Sequence, residues 1–124
     1  MLHRPVAILA AAALTATLAT AAFGRSASTP KLQGAVGPGY TISLKQNGKK
    51  VKTLKPGRYA ITVADKGSIH SFVVEQESGG KFEKTLTGVS FTGTKTVTVA
   101  LKRGKWKYYC KQHESIMFGF FTVK

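Results

Sequence analysis

The sequence predicts an all-β fold, a Greek-key β-sandwich of about seven or eight mostly antiparallel strands. Three observations carry that expectation. Short stretches in which every second residue is apolar recur from Tyr40 to the C-terminus, which is the pattern of half-buried strands. Turn formers punctuate them: Asn47-Gly48, Pro56-Gly57 and Gly79-Gly80. No long 3.6-residue periodicity follows the first forty residues, so no crossover helix is available for a mainly parallel sheet.

The chain opens on MLHRPVAILAAAALTATLATAAFG. Arg4 precedes an apolar run from Val6 to Leu18, and Ala19-Thr20-Ala21 fits a small-x-small cleavage site. The run falls short of the roughly 20 residues a spanning helix needs. Residues 1–21 are therefore expected to be a cleaved signal peptide, leaving no transmembrane anchor on an exported, periplasmic or extracellular protein. Residues 22–37, rich in Gly, Ser, Ala and Pro, read as a flexible tether with a short strand around Lys31–Val36. Residues 38–124 form the expected domain, and its size suits one core.

The strands follow in order. Tyr40, Ile42 and Leu44 share a face, and Asn47-Gly48 signals a hairpin. Tyr59, Ile61 and Val63 face together after the Lys55–Gly57 turn. His70, Phe72 and Val74 are in phase, and Glu77–Lys81 turns the chain. Val97, Val99 and Leu101 point inward, with threonines outward. Trp106, Tyr108 and Cys110 share a face opposite Lys105 and Lys107. Phe121 and Val123 close the core. Phe72, Trp106, Tyr108, Phe120 and Phe121 are the expected aromatic core.

Basic residues number 19 against five acids, a net charge of +14. Such an excess favours acidic partners or anionic surfaces. The lysines are scattered and alternate with apolar residues, with no arginine-rich run or recognition helix, so nucleic acid is not expected.

Cys110 is the sole cysteine, and in an exported chain it is a buried thiol, an intermolecular bridge or a ligand. His113 and Met117 follow it in CKQHESIM. Thiolate, imidazole and thioether together suit copper, and two histidines, one cysteine and a weak axial methionine describe a blue-copper site. That arrangement needs a second histidine. His3 lies in the leader, which leaves His70, in phase to point inward. A cysteine nucleophile would need a base and an orienting group; Glu114 adjoins His113, but no oxyanion hole is suggested, so the chain is not expected to be an enzyme.

His70 in SIHSF, with Cys110, His113 and Met117 in YYCKQHESIMFGFFTV, resembles the plastocyanin-like branch of the cupredoxins. TGVSFTGTKTVTVALKRGKWKYYC is similar to the approach to the copper loop in small bacterial members. The resemblance covers roughly residues 38–124. It implies one type 1 copper ion, cycling between Cu(I) and Cu(II), with His70, Cys110, His113 and axial Met117 as ligands. It also implies a monomeric carrier of single electrons between larger redox proteins with acidic docking surfaces; a copper-delivery protein with the same ligands is the alternative. Ile116 and Phe118 are candidates for an apolar rim around His113. Two positions depart from the family's pattern: Gln112 stands where proline is frequent, and Ser71 where asparagine is frequent.

Overall fold

The computed structural model describes residues 28–124, together with residues 12 and 13. The expected leader, those two residues apart, and the first part of the expected tether lie outside the described residues. Two five-stranded sheets pack face to face. The first has the order β3 (Lys49–Lys50), β2 (Ile42–Gln46), β1 (Lys31–Val36), β5 (Gly57–Asp65), β8 (Gly93–Leu101). The second has the order β4 (Thr53–Leu54), β10 (Phe118–Val123), β9 (Gly104–Tyr109), β6 (Phe72–Gln76), β7 (Glu83–Thr87). The fold is thus an all-β sandwich, with ten strands where about seven or eight were expected. The additional ones include the two-residue strands β3 and β4, too short to show a period.

Antiparallel pairs dominate, but both sheets are mixed: β1 runs parallel to β5, and β4 parallel to β10. The strand at Lys31–Val36 is a central one, hydrogen-bonded on both sides, with Leu32 and Val36 fully buried. Among the described residues, the sandwich thus takes in Lys31–Val36, the short strand expected within the tether. Composition suggested a tether there because the segment is rich in Gly, Ser, Ala and Pro. Gly34 has a packing reason: a Cβ would lie 3.0 Å from the Phe72 ring.

Strand phase is as read along β5, β8, β9 and β10: Ile61, Val63, Val99, Leu101, Trp106, Tyr108, Phe121 and Val123 are all buried. Burying each such side chain contributes roughly 1.5–3 kcal/mol. Two aromatic expectations are corrected. Phe120 neighbours inward-facing Phe121 on β10, so the two-residue period turns it outward, and it is 42% exposed. Tyr40 precedes β2 rather than belonging to it, and is 59% exposed. The hairpin at Asn47-Gly48 forms as expected, both residues having positive φ (49° and 78°).

The strand directions give the sandwich two ends. One gathers the ends of β1, β5 and β9 and the starts of β6 and β10. The other gathers β3, β4, the start of β5 and the turn between β8 and β9.

Candidate metal centre

Cys110 directly follows β9 and faces the core, in phase with Trp106 and Tyr108, and is fully buried. The chain then makes one 3-10 turn, Lys111–His113. It closes on itself: the His113 N–H donates to the Cys110 carbonyl (3.1 Å) and the Met117 N–H to the His113 carbonyl (2.9 Å). The Cys110 N–H donates to the Met117 carbonyl at 3.0 Å, next to the β9–β10 pair Tyr109–Phe118. Cys110 and Met117 are therefore partners across the strand pair. Both side chains turn into the core, which accounts for their spacing.

His70 comes from the loop between β5 and β6, just before Phe72, and is 2% exposed. Its ring is held between two glycines. A Cβ on Gly67 would lie 2.8 Å from His70 Cδ2, and one on Gly37 would lie 3.3 Å away. Tyr40 stands edge-on to His113 (ring centroids 4.9 Å apart) and to His70 (5.9 Å).

The ligating atoms form a triangle. His70 Nδ1 and His113 Nδ1 are 3.3 Å apart, and Cys110 Sγ is 3.7 Å from the first and 3.6 Å from the second. Bonds of about 2.0 Å to nitrogen and about 2.3 Å to sulfur let one ion reach all three corners from close to their plane. The three thus form a group able to hold a single ion. One thiolate and two imidazoles, with a thioether beside the cysteine, is a donor set suited to copper. The backbone N–H of Ser71 donates to Cys110 Sγ at 3.4 Å.

No family model matches the chain, and no curated protein matches it. Solved structures do. Rusticyanin from Thiobacillus ferrooxidans is 28% identical, with 80% of this chain and 79% of that chain covered and a TM-score of 0.54. The copper protein rusticyanin in a second structure is 24% identical over 80% of each chain, TM-score 0.56. A methionine-to-glutamine variant of rusticyanin is 23% identical over 80% of each chain, TM-score 0.57. The chain has the cupredoxin fold.

Within that cupredoxin fold, His70, Cys110 and His113 come together, and Met117 is fully buried, its carbonyl accepting from the Cys110 N–H. Ile116, 60% exposed, lies on the surface of this end. Phe118 does not join it over His113: its ring packs on Phe120 and near Lys107, along the outer face of the second sheet. Three supporting residues escaped the sequence reading. Tyr40 was assigned to a strand face, and Gly37 and Gly67 carry no local signal beyond being loop glycines.

Proposed function

We propose that the chain is an exported, single-copper electron carrier in which His70, Cys110, His113 and Met117 would hold the copper ion. Copper held there would supply one-electron chemistry by alternating between Cu(I) and Cu(II). The observation that carries the reading is the triangle of 3.3, 3.6 and 3.7 Å between two Nδ1 atoms and one Sγ.

The protein's own part is to hold the donors still and dry. Three of the four side chains are buried, and His113 is the one that reaches the surface. Its ring edge is where a redox partner would approach, amid exposed Tyr40, Ile69 and Ile116. Burial of Cys110 and His70 weighs against a delivery role, because an incoming ligand must reach the ion to take it. The protein is read as a carrier and not a catalyst.

The test is copper reconstitution followed by absorption and electron paramagnetic resonance spectra. The reading expects an intense thiolate-to-copper band with narrow copper hyperfine splitting, absent from Cys110→Ser. A colourless copper complex, or a band that survives Cys110→Ser, overturns it. Voltammetry and transfer to a chelator then separate carrier from donor: a reversible couple with slow release belongs to the carrier.

A further inference from the structure

The positive charge of this protein is not spread evenly. No acid occurs before Asp65 in the sequence, and Asp65 itself is buried. Glu77, Glu83, Lys107 and Glu114 all lie near enough to Glu75 for their charges to act on it, on and beside the second sheet. Lys107–Glu114 is the only ion pair among the described residues. By contrast, Lys49, Lys50, Lys52, Lys55, Arg58 and Lys102 are all exposed at the end of the sandwich opposite the metal centre. A groove of about 500 Å³ opens there, lined by Lys49, Lys50 and Lys52 with Gln46, Asn47 and Thr53, and no carboxylate borders it.

This placement is at odds with lysines that steer the metal end onto an acidic redox partner. An approaching anionic surface would attract the opposite end. The metal end presents Tyr40, Ile69 and Ile116, and its exposed charges include Lys66, Lys111 and Glu114, the last paired with Lys107. The N-terminal side of the chain also meets the fold at the basic end. Lys31, the first residue of β1, pairs with Ala60 near the start of β5, and the Ala60 N–H donates to the Pro30 carbonyl. In sequence, an apolar run from Val6 and a short Gly/Ser/Pro segment lead to that point.

We propose that the basic end docks on an anionic lipid surface, with the Lys49–Lys50–Lys52 groove taking headgroup phosphates and the metal end facing away. Basic clusters of this size suit anionic headgroups, and each lysine near such a surface strengthens binding about fivefold. The partner is lipid rather than acidic protein because the groove carries no aromatic or arginine side chain to anchor a protein interface, and its lysines and small polar groups suit phosphate oxygens. The docking is separate from the copper reading, since the basic end and the metal site share no residue.

The test is sedimentation of the full chain, copper-free and copper-loaded, with vesicles of phosphatidylcholine alone or with one third phosphatidylglycerol. Neutral vesicles report what the apolar run contributes by itself. The expected result is a salt-sensitive gain on anionic vesicles, equal with and without copper. The triple variant Lys49→Gln, Lys50→Gln, Lys52→Gln should lose on the order of 100-fold of that gain. Lys66→Gln, Lys84→Gln, Lys95→Gln, which removes the same charge elsewhere, should lose only a few-fold. Hydrogen exchange on vesicles should slow at residues 45–58 and not at 111–118. Equal binding to both vesicle types, equal losses in the two triples, or protection at the metal end each overturns the proposal, as does a basic end that binds acidic protein or nucleic acid and ignores lipid. Failure of the copper reading would show only in the spectra and leave vesicle binding unchanged.

Discussion

The Ser71 hydroxyl donates a 2.8 Å hydrogen bond to Gln112 Oε1 and accepts one of 3.0 Å from the Lys111 N–H. These bonds strap the His70 loop to the Cys110–Met117 loop on the protein side of the metal triangle. They also join the two positions at which the sequence departs from the family's pattern, so each departure supplies the other's partner. A proline in place of Gln112 would stiffen one loop; the glutamine instead ties both.

Removing that strap should loosen the metal without unfolding the chain. Supporting hydrogen bonds of this kind typically matter by about 10–100-fold in affinity. Gln112→Ala and Ser71→Ala are each expected to speed copper release to a chelator by on the order of 10-fold, with stability falling by about 1 kcal/mol. Because both break the Ser71–Gln112 bond, the double variant should be little worse than Ser71→Ala, which also loses the Lys111 contact. Additive effects in a double-mutant cycle would show that the two residues act separately.

Gly67 should report on the His70 ring alone. Its φ is not in the positive range, so alanine meets no backbone penalty there, but the new Cβ would stand 2.8 Å from His70 Cδ2. The ring must shift by a few tenths of an ångström. Gly67→Ala is therefore expected to weaken copper binding by roughly 10-fold and alter the copper hyperfine splitting, while the copper-free chain unfolds within about 0.5 kcal/mol of the parent. An unchanged spectrum with a large loss of stability would mean the glycine serves the loop and not the ligand.

The legible parts of this protein were those where a period or a spacing fixes a side chain's direction. Two-residue phase turned Cys110 and Trp106 inward together, and the count of histidines brought in His70. The same phase argument, applied to Phe121, already excludes Phe120 from the core. What stayed hidden depends on contacts remote in sequence. Lys31–Val36 is central because β5 and β2 flank it, which no local pattern states. Tyr40 belongs to the metal centre because a loop carries it past the strand that its alternation suggested. The Ser71–Gln112 bond spans two loops, and only the fold brings its partners together.

Lys107 should be the most consequential surface lysine. Its Nζ is 2.8 Å from Glu114 Oε1 and lies 5.0 Å from the Tyr109 ring, 5.4 Å from Phe118 and 5.9 Å from Phe120. Burial, then the charges of Glu77, Glu83 and Glu114, raise Glu75 above its ordinary range, and Lys107 opposes this. Lys107→Ala removes the ion pair and the aromatic contacts together, and should destabilise by about 1–3 kcal/mol. Glu114→Gln removes only a solvent-exposed pair and should cost under about 1 kcal/mol. Urea unfolding in 1 M salt separates the two contributions: the Glu114→Gln effect should fade and most of the Lys107→Ala effect persist. Equal effects for both variants at low salt would leave no role for the rings.

Alkali should expose the tyrosines of the second sheet. The Tyr109 hydroxyl donates a 2.6 Å hydrogen bond to Glu83 Oε1. Burial first, then that bond and the charges of Glu83, Glu75 and Glu114, raise Tyr109 well above the ordinary tyrosine value. Burial also raises Tyr108, stacked on Phe72. Unfolded tyrosines release their protons near pH ~10, so above that the folded state holds protons the unfolded chain has lost. The stability these groups contribute is complete below the unfolded value and is lost as pH rises toward the folded one. Tyr109→Phe should lower the stability of the copper-free chain by about 1 kcal/mol at pH ~8, through the missing hydrogen bond. Above pH ~10 phenylalanine has no proton to lose, so the gap to the parent should narrow as the pH climbs. Urea midpoints of the pair, measured in steps from neutral to strongly alkaline solution, check this; a gap that stays constant would mean Tyr109 titrates alike in both states.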